Sequence, residues 1–144
     1  MGPVNIEGSS IRVLVVDDYE PFCRFVCSML RKGPDFQIVG EASDGVAAVR
    51  QAEELKPDLI LLDIGLPMLN GIEAARRILK LLPECKILFL SQETSADVVQ
   101  EALSLGALGF VSKARTASDL LAAVEAVLQR RRFVSTGVTI SGPG

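Results

Sequence analysis

Asp17, Asp18, Asp63, Ser91 and Lys113 each follow a short apolar run of the kind that forms a buried strand, so the groups that could do chemistry leave successive strand ends. If those ends lie side by side, three carboxylates meet within a few ångströms. They repel one another and raise each other's pKa unless a cation neutralises them. A small oxygen-lined site with few protein carboxylates suits Mg²⁺ or Mn²⁺, and Lys113 supplies further positive charge. A carboxylate beside such a cation and an ammonium can act as a nucleophile toward a phosphoryl group, with Ser91 donating its hydroxyl to a phosphoryl oxygen. Taken singly, Asp17 and Asp18 would be read as helix caps, Asp63 as an ordinary loop aspartate and Ser91 as a turn residue. It is their joint occurrence at four strand ends that points to a site.

The elements that must position these groups are legible as alternating runs. Strands are predicted at 12–16, 37–42, 59–62, 86–90 and 109–111, and the first, third and fourth are apolar on both faces, as strands covered on two sides should be. Helices are predicted at 21–31, 45–55, 71–82, 96–105 and 117–130 from apolar residues spaced for one face. Pro21 suits a first helical turn, Lys56-Pro57 closes the second helix, and Asn70-Gly71 marks a loop before the third. Thr94-Ser95 with Asp97 is expected to cap the fourth helix, and Thr116 or Ser118 with Asp119 the fifth. Five βα units with right-handed crossovers give an α/β, flavodoxin-like, doubly wound parallel sheet of order 2-1-3-4-5. In such a sheet ligands bind at the carboxyl ends of the strands, near strands one and three, which carry the aspartates.

With 144 residues, 49% of them hydrophobic, the chain has the size of one domain with a sizeable core. A net charge of −3 offers no sequence-independent attraction to nucleic acid, so no direct nucleic-acid binding is expected. No apolar run approaches membrane-spanning length, no basic-then-apolar leader is present, and a cytoplasmic location is expected. Three cysteines without close pairing argue against a disulfide framework. Cys23 and Cys27 read as small apolar residues on one helix face, and Cys85 as a loop or strand-edge thiol. The chain has no histidine, so any phosphohistidine must come from a partner. Residues 1–10 read as a disordered leader.

Over 11–132 the sequence resembles the response-regulator receiver family of two-component systems. The resemblance rests on Val15-Val16-Asp17-Asp18, on the stretch from Leu61 to Gly71 around Asp63, on Leu90-Ser91, and on Gly106 to Lys113. It implies that Asp63 accepts phosphate from a sensor histidine kinase. It further implies that Asp18, Asp63 and the backbone carbonyl of Gly65 bind Mg²⁺, that Asp17 acts through water, and that Ser91 and Lys113 hold the phosphoryl group. In the family, movement of the hydroxyl at the Ser91 position vacates space for an aromatic ring, here Phe110, and so changes the face formed by the fourth helix, fifth strand and fifth helix. Phe110 reads equally well as a permanently buried core ring.

Several features depart from the common family pattern. Many receivers have proline after the lysine, but here Ala114 follows it; a non-proline residue at that position resembles the NarL/FixJ group, whose output is a LuxR-type helix-turn-helix, and a more mobile loop is expected there. Gln92 replaces a smaller residue and could crowd the pocket. Gly65 and Glu93 occupy the positions that tune phosphoryl lifetime, and with glycine at one of them no side chain there can shield or orient the attacking water. Arg130-Arg131-Arg132-Phe133 resembles the exit toward an interdomain linker, so 133–144 is expected to be a tail or the start of a linker to an output domain acting in transcription. The three arginines also complement a helix dipole. A homodimer would use the fourth helix, fifth strand and fifth helix, or helices one and five.

Three other readings share the architecture. A flavodoxin-like FMN protein needs a Ser/Thr/Gly loop after the first strand, where Asp17-Asp18-Tyr19-Glu20 would repel phosphate. A haloacid-dehalogenase-type phosphatase wants an aspartate two residues past the nucleophile, where Gly65 stands. A stand-alone or pseudo-receiver interaction module would keep the fold and never take phosphate; the intact polar set speaks against it, while Gln92 keeps it open.

Overall fold

The structure is a computed structural model that describes residues 10–33 and 35–135. The expected leader, except Ser10, and the tail beyond Ser135 lie outside the described residues. The chain runs β1 (Ile11–Val16), α1 (Glu20–Arg31), β2 (Phe36–Ala42), α2 (Gly45–Leu55), β3 (Leu59–Leu62), α3 (Gly71–Leu81), β4 (Lys86–Ser91), α4 (Ala96–Ser104) and β5 (Gly109–Ser112). A single 3₁₀ turn (Lys113–Arg115) then leads to α5 (Thr116–Leu128) and β6 (Phe133–Val134). The strands form one parallel sheet in the order β2-β1-β3-β4-β5-β6, with every pairing parallel. The expected order 2-1-3-4-5 is therefore present and carries a sixth strand.

Strand period two divides the apolar residues between two cores. Leu14, Val16, Ile60, Leu62, Ile87, Phe89 and Phe110 pack on one face beneath α2, α3 and α4. Val13, Val15, Leu59, Leu61, Leu88, Leu90 and Val111 pack on the other beneath α1 and α5. This two-sided cover is why the central strands are apolar throughout. β2, at the sheet edge, is only half-buried and is bulged against β1 between Val13 and Leu14.

The helix boundaries have local causes. Asp44 Oδ1 accepts from Ala47 N–H at 2.7 Å, Asn70 Oδ1 from Glu73 N–H at 2.9 Å, and Ser95 Oγ from Val98 N–H at 3.4 Å, each capping a helix N-terminus. Lys56 ends α2 in the left-handed region at φ 48°. The fifth helix departs from expectation. Neither Thr116 nor Ser118 caps it, because both hydroxyls donate backward, Thr116 to the Lys113 carbonyl at 2.9 Å and Ser118 to the Arg115 carbonyl at 3.1 Å. They tie α5 to the 3₁₀ turn, which supplies the preceding structure that a cap would otherwise replace. Cys85 lies in the loop before β4, buried, and burial pushes its thiol up to about 12.

β6 is an addition to the five expected strands. Phe133 and Val134 pair in register with Gly109 and Phe110, and the Ser135 amide donates to the Phe110 carbonyl at 2.9 Å. A two-residue strand has too few positions to show alternation, so the sequence carries no periodic signal for it.

Candidate functional site

β1 and β3 are neighbours, and their last residues, Val16 and Leu62, are in register. The residues that follow are therefore delivered side by side, and the Asp63 amide donates to the Val16 carbonyl at 3.0 Å. One carboxylate oxygen each from Asp17, Asp18 and Asp63 lies within 4.8 Å of the others. Asp17 and Asp63 are buried, and Asp18 is exposed at the mouth. Lys113, one residue past β5, reaches across β4 so that its Nζ stands 2.7 Å from Asp17 Oδ2 and 3.4 Å from Asp63 Oδ2. Four of the polar residues predicted to meet thus converge on one pocket.

The remaining predicted residues sit around this cluster. Gly65 and Glu93 line the pocket with Gln92, Ser91 and Ser112. The Gly65 amide donates to Asp63 Oδ1 at 3.4 Å, and a Cβ built on Gly65 would meet no atom within 4 Å. The Ser91 hydroxyl is engaged within its own loop, donating to the Glu93 carbonyl at 3.0 Å and accepting from the Glu93 amide at 2.9 Å. It must change partner to reach a group bound at Asp63. Phe110 is fully buried and tilts 47° against Phe89 at 6.4 Å between ring centroids. Its ring therefore lies within the α2–α4 core, and two residues further on Ser112 opens on the pocket. After Lys113 the backbone turns at once: Lys113–Arg115 forms the 3₁₀ turn, and the Thr116 hydroxyl donates to the Lys113 carbonyl.

Electrostatics account for the order of these contacts. Burial pushes the Asp63 carboxyl above its usual range; Lys113 and the Gly65 amide oppose this, and the Asp17 charge adds to it. A fully oxygen-donating cluster, incompletely compensated by one ammonium, fits a hard divalent cation of the magnesium class. Gly71 makes the tight return from this site possible: a Cβ there would stand 2.0 Å from the Asp63 carbonyl oxygen, so the first turn of α3 can press directly on the backbone of Asp63.

Two residues contribute in ways the sequence does not indicate. The Phe22 ring lies under Lys113, with Nζ 4.6 Å from its centroid, a contact that steadies the ammonium. Phe22 reads in sequence simply as an apolar helix residue. The second is Asp119, a residue expected to help cap α5. It accepts from the Ser135 hydroxyl at 2.8 Å and from Arg115 Nε at 3.0 Å, while Ser135 Oγ accepts from the Ser112 amide at 3.1 Å. This network joins β6 to the residue before Lys113.

A doubly wound α/β domain whose carboxyl edge presents three clustered aspartates closed by a lysine is the class defined by this fold and pocket. The chain belongs to the response-regulator receiver family: residues 13–125 match the response regulator receiver domain. It is 34% identical over 134 residues to the transcriptional regulatory protein DegU of Brevibacillus brevis, covering 93% of this chain and 57% of that protein. It is 48% identical over 105 residues to a protein-glutamate methylesterase/protein-glutamine glutaminase of Thermotoga maritima, covering 72% of this chain and 30% of that protein. A two-component response regulator of the LuxR family from Aurantimonas sp. SI85-9A1 superposes with a TM-score of 0.85 at 31% identity, over 90% of this chain and 93% of that one. The chain spans a little over half the length of curated regulators such as DegU. Receiver domains are components of two-component signalling and are regulatory elements. No helix among the described residues is long and apolar enough to cross a membrane.

Proposed function

We propose that Asp63 is the phosphoryl acceptor of this receiver and that the modification switches an output function, in transcription, carried by a segment beyond residues 11–132. The observation that carries this reading is the convergence of Asp17, Asp18 and Asp63 within 4.8 Å, with Lys113 Nζ at 2.7 and 3.4 Å from two of them. The donor in this reading is a phosphohistidine of a sensor kinase, and it must lie on that partner because this chain has no histidine. Asp63 attacks phosphorus with a carboxylate oxygen. The bond from phosphorus to the donor imidazole nitrogen breaks, and that nitrogen keeps the electron pair.

Asp18, Asp63 and the Gly65 carbonyl would hold Mg²⁺ or Mn²⁺ directly and Asp17 through water; the ion would offset phosphoryl-oxygen charge during transfer. Lys113 supplies a second positive charge beside Asp63, and Ser91 donates to a phosphoryl oxygen once it leaves the Glu93 backbone. That rearrangement and the Phe110 ring beside β6 form the bistable element through which the event reaches the surface. A homodimer is best supported on the α1–α5 side, where Phe25 and Leu121 are exposed. The Ser135 side chain is buried against Asp119, so the packed domain reaches at least that residue. In the test, the chain is incubated with Mg²⁺ and acetyl phosphate, and phosphoprotein is read directly. Incorporation lost in Asp63→Asn supports the acceptor; no incorporation in the wild type favours a pure interaction module.

A further inference from the structure

Away from the acidic pocket, α1 and β2 bring two thiols and a carboxylate together. Cys23 and Cys27 are four residues apart on α1, so their side chains lie one above the other on the stripe that faces the sheet. Both are buried, at 4% and 1% exposure. Glu41 stands opposite Val15 in the β1–β2 register and is exposed, so the cluster opens to solvent on the edge-strand side.

One donor atom from each of Cys23, Cys27 and Glu41 lies within 4.8 Å of the others, and the Cys23 thiol donates to Glu41 Oε1 at 3.3 Å. A tetrahedral ion of the zinc class, about 2.3 Å from sulfur and about 2.0 Å from carboxylate oxygen, holds such ligands roughly 3.5–3.8 Å apart. The Cys23–Glu41 pair, at 3.3 Å, is close to that spacing, and the Cys27 donor lies within 4.8 Å of both. Among the described residues Glu41 makes no ion pair with a lysine or arginine. The cationic field acting on Cys27 is that of Arg31, exposed at the end of the same helix. Apolar packing alone gives a reason for two buried thiols but none for turning one of them onto a carboxylate.

We propose that Cys23, Cys27 and Glu41 form a binding site for one thiophilic divalent cation of the zinc class, with a fourth position open to water. Binding converts two thiols to thiolates and releases two protons to solvent, while Glu41 contributes its existing charge. The bound ion ties α1 to the edge strand. The Asp17 amide donates to the carbonyl of Ala42, the neighbour of Glu41, so the tie lies beside the strand end that carries the acidic pocket. Soft thiolates select against Mg²⁺, which keeps the two sites chemically distinct.

The test is a Cd²⁺ titration of the full chain in excess Mg²⁺, following thiolate-to-metal charge-transfer absorbance. One Cd²⁺ per chain is expected, with the band displaced by Zn²⁺, lost in Cys23→Ser and in Cys27→Ser, and retained in Cys85→Ser and Asp63→Asn. Glu41→Gln should weaken binding by about tenfold or more. Absence of the band, or a band that survives Cys23→Ser and Cys27→Ser, overturns the proposal. Alkylation mapping of the wild type supplies a readout that does not depend on variants folding. Cd²⁺ should protect Cys23 and Cys27 and leave Cys85 unchanged; equal effects on all three would also overturn it.

Discussion

At the scale of single residues, Asp63 is placed where function and stability oppose each other. Burial and the Asp17 charge raise its pKa above the unfolded value, Lys113 only partly offsetting them. The ionised group therefore costs folding stability at pH above the unfolded carboxylate range, and the cost disappears as the pH falls below that range. Asp63→Asn should raise the thermal midpoint in Mg²⁺-free buffer while abolishing phosphoryl uptake, a trade common at active sites; calorimetry showing a lower midpoint would contradict this. Gly65 offers a second residue-scale prediction. Open space surrounds its Cα, so Gly65→Asn should fold normally and alter the decay rate of the phosphorylated protein. Identical decay in both proteins would contradict a role for that position. These residues were legible in the sequence because each carboxylate terminates an apolar run, a local pattern. Phe22 was not, because its contact with Lys113 spans most of the chain and its residue type fits any helix face.

At the scale of elements, α3 and the added strand β6 depend on contacts of opposite kind. α3 packs by close backbone approach onto Asp63, the residue after β3: Gly71→Ala would drive a Cβ to within 2.0 Å of the Asp63 carbonyl, and the forced shift of α3 should cost about 1–3 kcal/mol and slow phosphorylation. β6 is held by the buried Ser135–Asp119 bond. Burial alone would raise the Asp119 pKa, but donors from Arg115, Ser135 and Ser118 outweigh it and hold the carboxyl below its usual range. The stability this contributes is complete above the unfolded carboxylate range and is lost as the pH falls through the lower folded value. Ser135→Ala should cost about 1.5 kcal/mol at neutral pH and less in strong acid, measured by urea unfolding at several pH values. The five βα units followed from periodicity and punctuation. β6 did not, because it is set by a long-range bond from Ser112 to Ser135, and the uncapped start of α5 did not, because its hydroxyls turn back onto a 3₁₀ turn that has no periodic signal.

At the scale of the whole molecule, the two cores make a rigid slab whose carboxyl edge holds the acidic pocket, and β6 extends that slab toward whatever follows the receiver. A cation bound only by the folded state should stabilise it by about 2.7 kcal/mol at a hundred times its Kd. Mg²⁺ should therefore raise the midpoint of the wild type and do so much less in Asp63→Asn. The central claim is that Asp63, in its setting of Asp17, Asp18 and Lys113, takes a phosphoryl group. It is tested most directly by mapping the site of modification after incubation with acetyl phosphate and Mg²⁺. Modification confined to Asp63, absent in Asp63→Asn and without Mg²⁺, is the predicted result. An unmodified Asp63 in the wild type, or equal modification of the variant, would contradict it.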